Sequence, residues 1–127
     1  MLAKIRIGNL VYYVADIARA EAFYRDVLGL EVLRMGDDGS GNEWLMAKTA
    51  GGLDLLFFRN SNAKAGQSPV IVYDLVDGGI DGIVEGLAQK GATIVTPISQ
   101  APGGWSADLA DPDGHTFSFY QTNEKPR

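Results

Sequence analysis

The chain has 127 residues, is 46% hydrophobic, carries a net charge of -5 and contains no Cys. That length supplies one well-buried core but not two conventional domains, so a single domain over residues 1–127 is expected. Lys and Arg are scattered singly, which leaves no basic stripe for nucleic acid or an anionic membrane, and the missing thiols exclude a disulfide framework, a Cys nucleophile and Cys-ligated zinc.

The segment from Met1 to Ile7 is charged within its first apolar run and lacks a small-residue cleavage pattern, so it does not read as a signal peptide. No apolar run reaches membrane-spanning length, and a cytoplasmic protein is expected. Residues 5–14 are rich in β-branched and aromatic side chains and read as a strand. Asp16 is placed to cap a helix in which Ile17, Ala20, Phe23, Tyr24, Val27 and Leu28 recur at helical spacing, with Gly29 as its stop. Strands follow over 30–35, 43–48 and 53–58, the first two separated by the polar run from Gly36 to Gly41.

Residues 60–68 are poor in apolar groups and read as a linker. Beyond it the pattern starts again. A strand over 69–75 precedes a helical face at Ile80, Ile83, Val84 and Leu87, which ends at Lys90-Gly91 despite the low helix propensity of Gly79, Gly82 and Gly86. Strands over 92–98, 105–110 and 116–120 complete the chain. Asp111-Pro112-Asp113-Gly114 is the turn of a hairpin joining the last two, because Pro presets one dihedral and Gly accepts positive φ.

The glycine pairs Gly29 and Gly91, Gly41 and Gly103, and Gly52 and Gly114 are each 62 positions apart, and Leu55 to Phe58 fall on Phe117 to Tyr120 by the same step. The chain therefore reads as two copies of one β-α-β-β-β unit, the first over 4–59 and the second over 69–122. The fold class is α+β.

Four segments, in order, resemble the vicinal-oxygen-chelate superfamily, which includes glyoxalase I, extradiol dioxygenases and bleomycin-resistance proteins. They are Val11 to Ile17, Ala22 to Val32 with its Phe-Tyr-x-x-x-Leu-Gly, Leu87 to Ala92, and Asp111 to His115. The resemblance implies two βαβββ modules in tandem forming a curved mixed sheet around a cavity, usually completed by a homodimer. In metal-dependent relatives, His, Glu or Gln on the first and fourth strand of each module chelates a divalent ion. Carried onto this chain, those positions fall on Asn9, Leu56, Ile71 and Ser118, with one residue of slack at Ile71. Leu and Ile offer no lone pair, and a neutral amide or hydroxyl is a weak ligand for such ions, so no metal site and no cofactor are expected.

If Asn9, Leu56 and Ser118 face the cavity, strand alternation sends Leu10, Tyr12, Val14, Leu55, Phe57, Phe117 and Phe119 to the helix-covered side. The cavity face then holds Ile7, Asn9, Val11, Tyr13, Asp54, Leu56, Phe58, Thr116, Ser118 and Tyr120, an apolar and aromatic lining with a few polar groups. Trp44 and Trp105 are added as rings that stack on a planar ligand or pack in the core. Asp54 is the candidate catalytic residue: a general base, an acceptor, a counter-ion, or simply a solvated rim carboxylate. His115, the single His, follows the hairpin turn and reads as an exposed turn residue. Glu43, Asp108 and Arg59 are candidates for charge at the mouth.

The expectation is a metal-free protein that binds a small organic ligand, by sequestration of an antibiotic or aromatic metabolite. The alternative is a divalent-metal-dependent lyase, isomerase or dioxygenase with ligands among Glu43, Asp54, Asp108 and His115.

Overall fold

The computed structural model describes residues 2–64, 66–110 and 114–127, so Asp111 to Asp113, the first three residues of the expected hairpin turn, lie outside the described residues. The elements run in the order β1 (Arg6–Val14), α1 (Ile17–Ala22), β2 (Glu31–Asp37), β3 (Glu43–Lys48), β4 (Asp54–Arg59), β5 (Val70–Asp74), α2 (Ile80–Gln89), β6 (Thr93–Ala101), β7 (Gly104–Ala110) and β8 (Thr116–Thr122). This is the twice-repeated β-α-β-β-β order and an α+β fold. The repeated glycines explain why the two halves match: Gly29 and Gly91, Gly41 and Gly103, and Gly52 and Gly114 all take positive φ, from 68° to 103°. Side chains other than glycine's are strained there, so the turns recur with the residue that permits them.

Two compact units result, Gly8–Val70 and residues 2–7 with Ile71–Arg127. In the first, the strand order is β2-β3-β4-β1, with β1 parallel to β4 and the other pairs antiparallel. In the second, the order is β5-β8-β7-β6, with β5 parallel to β8. Residues 4–7, expected at the start of the first module, belong with the residues before them to the second unit for a physical reason. Leu2 and Ile5 pack against its core of Leu75, Ile80, Val84, Ala107, Leu109 and Phe119, and the Arg6 guanidinium pairs with the Asp74 carboxylate at 3.2 Å.

Each sheet buries one face under its helix. In the first unit Val32, Leu45, Ala47 and Phe57 close on Ala20, with Tyr12, Val14, Ile17, Tyr24 and Leu55 around them. Phe57 is fully buried, and its transfer from water stabilises the fold by about 1.5–3 kcal/mol.

The first helix departs from expectation. Asp16 caps it, its carboxylate accepting the Arg19 N–H at 3.0 Å, but after Ala22 the chain widens into a π-helical turn, Phe23–Val27, where the Leu28 N–H donates to Phe23 O at 3.1 Å. The wider turn sets the Tyr24 ring 4.5 Å from that of Phe57. It also takes Phe23, Val27 and Leu28 off the buried stripe, leaving them 47%, 68% and 52% exposed. The second helix follows its pattern, with Ile80 and Val84 buried and Ile83 and Leu87 packed beside them. No helix among the described residues is long and apolar enough to cross a membrane.

Candidate functional site

In the first unit the face opposite the helix is assembled by register. Asn9, Val11 and Tyr13 on β1 sit beside Asp54, Leu56 and Phe58 on β4, and Leu56 is opposite Met46 on β3. Alternation puts Trp44 on the same face as Met46, and its ring stacks on that of Phe58 with centroids 5.1 Å apart and planes 17° from parallel. Leu33, opposite Met46 on β2, extends the apolar surface. Seven expected ligand-binding residues, Asn9, Val11, Tyr13, Trp44, Asp54, Leu56 and Phe58, are thus brought onto one face. Met46 and Leu33 were missed, although counting in twos from Trp44 along β3 would have found the first of them.

The face has a chemical polarity. The Trp44 and Phe58 rings form an aromatic platform toward one end, with Val11, Met46 and Leu56 between. At the other end Asn9 and Asp54 are cross-strand neighbours. Asp54 is half-buried, and its carboxylate makes no hydrogen bond or ion pair with any described residue. A carboxylate part-withdrawn from water without a partner is an acceptor for a ligand's donor or positive charge.

The second unit has the equivalent face, on which Ser118, Tyr120 and Asp74 are engaged, whereas half-buried Asp108 makes no hydrogen bond or ion pair with any described residue. Ser118 is buried and its hydroxyl donates to Ala107 O at 3.1 Å. The Tyr120 hydroxyl donates to Pro102 O at 2.7 Å. Burial, and then the charge of Asp74 beside it in the register, raises the phenol above its ordinary value and keeps it protonated. Asp74 is itself tied to Arg6. Asp108 lies opposite Ser118 on this face.

Trp105, expected to line the cavity, does not share either of these faces. It stands opposite Gln121 in the β7–β8 register and packs against the helix-covered core, with the Arg127 guanidinium 4.1 Å from its ring centroid. The 62-residue step puts Trp44 on position 106, and the one-residue difference turns the second indole to the other side of its sheet. Glu43 pairs with Arg34 at 3.3 Å on the helix side of β3, and Arg59, opposite Val14, is exposed on that side too. His115 is exposed just before β8.

The positions that would carry a chelated metal can now be read from register. Val11 is level with Leu56, while Val72 is level with Ser118, so the repeat step is one residue shorter on the first strands than on the last. The counterpart of Asn9 is therefore Val70, and Ile71 points to the helix side with Phe117. Leu56 and Val70 have no lone pair, and the buried Ser118 hydroxyl, its proton donated to Ala107 O, offers a weak neutral oxygen. Among the described residues no three His, Cys, Asp or Glu side chains gather in one place. These residues do not fit a divalent ion.

Comparison with known proteins agrees with this architecture. Residues 6–119 match the sequence family described as the glyoxalase/bleomycin resistance protein/dioxygenase superfamily. A search of curated proteins returned no match. Among solved structures, a glyoxalase/bleomycin resistance protein/dioxygenase superfamily member from Vibrio splendidus 12B01 superposes with a TM-score of 0.66 at 21% identity, over 93% of this chain and 99% of that one. Methylmalonyl-CoA epimerase from Mycobacterium tuberculosis gives 0.70 at 16% identity, over 96% and 93%. NAD-dependent benzaldehyde dehydrogenase from Legionella pneumophila gives 0.68 at 20% identity, over 91% and 98%. At such identities the likeness extends to the fold alone. With the repeated β-α-β-β-β units and a family match covering nearly all of the sequence, the chain belongs to the glyoxalase/bleomycin resistance protein/dioxygenase superfamily.

Proposed function

We propose that the protein binds a small aromatic molecule on the Trp44 face, without a metal ion. The observation that carries this reading is the stacked Trp44–Phe58 platform on the same face as half-buried Asp54, which has no partner among the described residues. A planar ring lying on that platform would gain about 0.5–1.5 kcal/mol beyond its area burial. A hydroxyl or ammonium at its far end would meet Asp54 and Asn9. The ligand class is therefore an aromatic compound with a donor or cationic group, held by sequestration in a cytoplasmic homodimer. The exposed Val27 and Leu28 supply apolar surface for a second copy.

The epimerase and the dehydrogenase that share this fold are named for different reactions, so neither reaction carries over. A second reading rests on Asp54 alone: a half-buried carboxylate without a partner among the described residues is placed to act as a general base on a bound substrate. The two readings separate in one experiment. Aromatic amines and phenols are screened by thermal shift, and each hit is titrated into wild type, Trp44→Ala and Asp54→Asn. Binding weakened by about tenfold or more in both variants supports the proposal. Unchanged affinity in both refutes the face. Turnover of a hit that stops in Asp54→Asn while binding persists moves the assignment to an enzyme.

A further inference from the structure

A second recess lies in the first unit, on the helix-covered side of the sheet where β1 ends and α1 begins. It is an open recess of about 590 Å³, a size within the range of small-molecule sites. Its wall is aromatic. The ring centroids of Tyr12 and Tyr24 are 6.2 Å apart and those of Phe23 and Tyr24 are 5.3 Å apart, and Phe23 remains 47% exposed because the π-helical turn holds it away from the core.

Its polar lining is dominated by donors. Arg19 and Lys64 both border the recess, and neither forms an ion pair with any described residue. Ser68 accepts the Tyr13 N–H at 3.0 Å, which leaves its own hydroxyl proton without an acceptor among the described residues. Asp16 is the single carboxylate among the lining residues, and one of its oxygens is held by the Arg19 N–H. Two cations against one carboxylate leave one positive charge, in a chain whose net charge is -5.

We propose that this recess is a second binding site, for a small aromatic monocarboxylate. Its ring lies along Tyr12, Phe23 and Tyr24, and its carboxylate meets Arg19 and Lys64. A guanidinium matches a carboxylate with two parallel hydrogen bonds, and a single anionic charge balances the recess. A dianion would leave one charge unmatched, and a cation would be repelled. The inference does not depend on the Trp44 face, which selects the opposite charge.

The test is calorimetric titration of the full chain with 3-phenylpropionate and its neutral amide. Arg19 and Lys64 are exposed, so Arg19→Gln and Lys64→Gln leave the core intact. The expected result is binding of the acid, about tenfold weaker binding of the amide, and a three- to roughly tenfold loss in each variant. Affinity should fall with added salt and be unaltered in Trp44→Ala. No binding of the acid to wild type, equal binding of acid and amide, or loss of binding in Trp44→Ala but not in Arg19→Gln would overturn the assignment.

Discussion

Gln121→Leu tests how the second unit is held together. The helix α2 begins at Gly79, which has no side chain to cap it, yet the first helical residue, Ile80, is fully buried and its N–H cannot reach water. Gln121, 1% exposed on β8, supplies the missing acceptor: its Oε1 takes the Ile80 N–H at 2.8 Å. Its Nε2 donates to Lys125 O at 3.0 Å and so also ties down the C-terminal residues. Leu is close in volume but leaves both groups unpaired. The Ile80 N–H stays buried, at a cost of about 1–3 kcal/mol, whereas Lys125 is exposed and its carbonyl can turn partly to water, so the total is about 2–4 kcal/mol. For a chain of this size that lowers Tm by roughly 6–16 °C. Urea unfolding followed by circular dichroism should show a lower midpoint with an unchanged slope, beside a Gln89→Leu control on the exposed end of α2. A Tm for Gln121→Leu within about 2 °C of wild type would refute the idea that this side chain caps the helix.

Two further outcomes follow from the same structure. Glu21 accepts hydrogen bonds from Arg34 and Arg25 at 2.8 and 2.9 Å, and these, Arg34 foremost, hold its carboxyl below its ordinary value of 4.5 against a smaller opposing effect of desolvation. A folded-state value below the unfolded one means the stabilisation is complete above pH 4.5 and fades as pH falls through the folded value. Glu21→Gln should therefore flatten the acid limb of a stability-against-pH curve and change little in its slope near neutrality. Gly82 lies in the exposed interior of α2 with ordinary φ and nothing near the position of an added Cβ, so Gly82→Ala should raise stability by about 0.5–1 kcal/mol in denaturant titrations.

The order of elements was legible because turns and strands announce themselves locally: glycines at left-handed positions, and apolar residues in twos or in threes and fours. The helix-covered faces were legible for the same reason, and Tyr12, Val14, Leu55 and Phe57 meet in one core. What was not legible depended on register. A single-residue difference between the copies moved the counterpart of Asn9 from Ile71 to Val70 and put Trp105 on the wrong side of its sheet. Gln121 was passed over because β8 runs two residues beyond the expected Tyr120, and a polar residue past a strand's end reads as solvated. The π-helical turn had no sequence mark either, since its apolar spacing fits an ordinary helix. Ring packing of Tyr24 against Phe57, a contact between distant segments, decides it.

Duplication also bears on where the chemistry lies. Both units carry a sheet face away from their helix, and both faces include carboxylates and aromatic rings. In the second unit the hydroxyl protons of Ser118 and Tyr120 and the carboxylate of Asp74 are bound to partners within the unit, which leaves Asp108 as the open carboxylate of that face among the described residues. The first unit has an open carboxylate too, Asp54, and adds the stacked platform of Trp44 and Phe58, whereas Trp105 of the second unit lies on the helix-covered side. Groups already satisfied hold a fold, and groups left open can hold a ligand. That asymmetry supports the proposal of binding on the Trp44 face rather than on its repeat, and it makes Trp44→Ala, which spares the second unit entirely, the variant on which the functional reading turns.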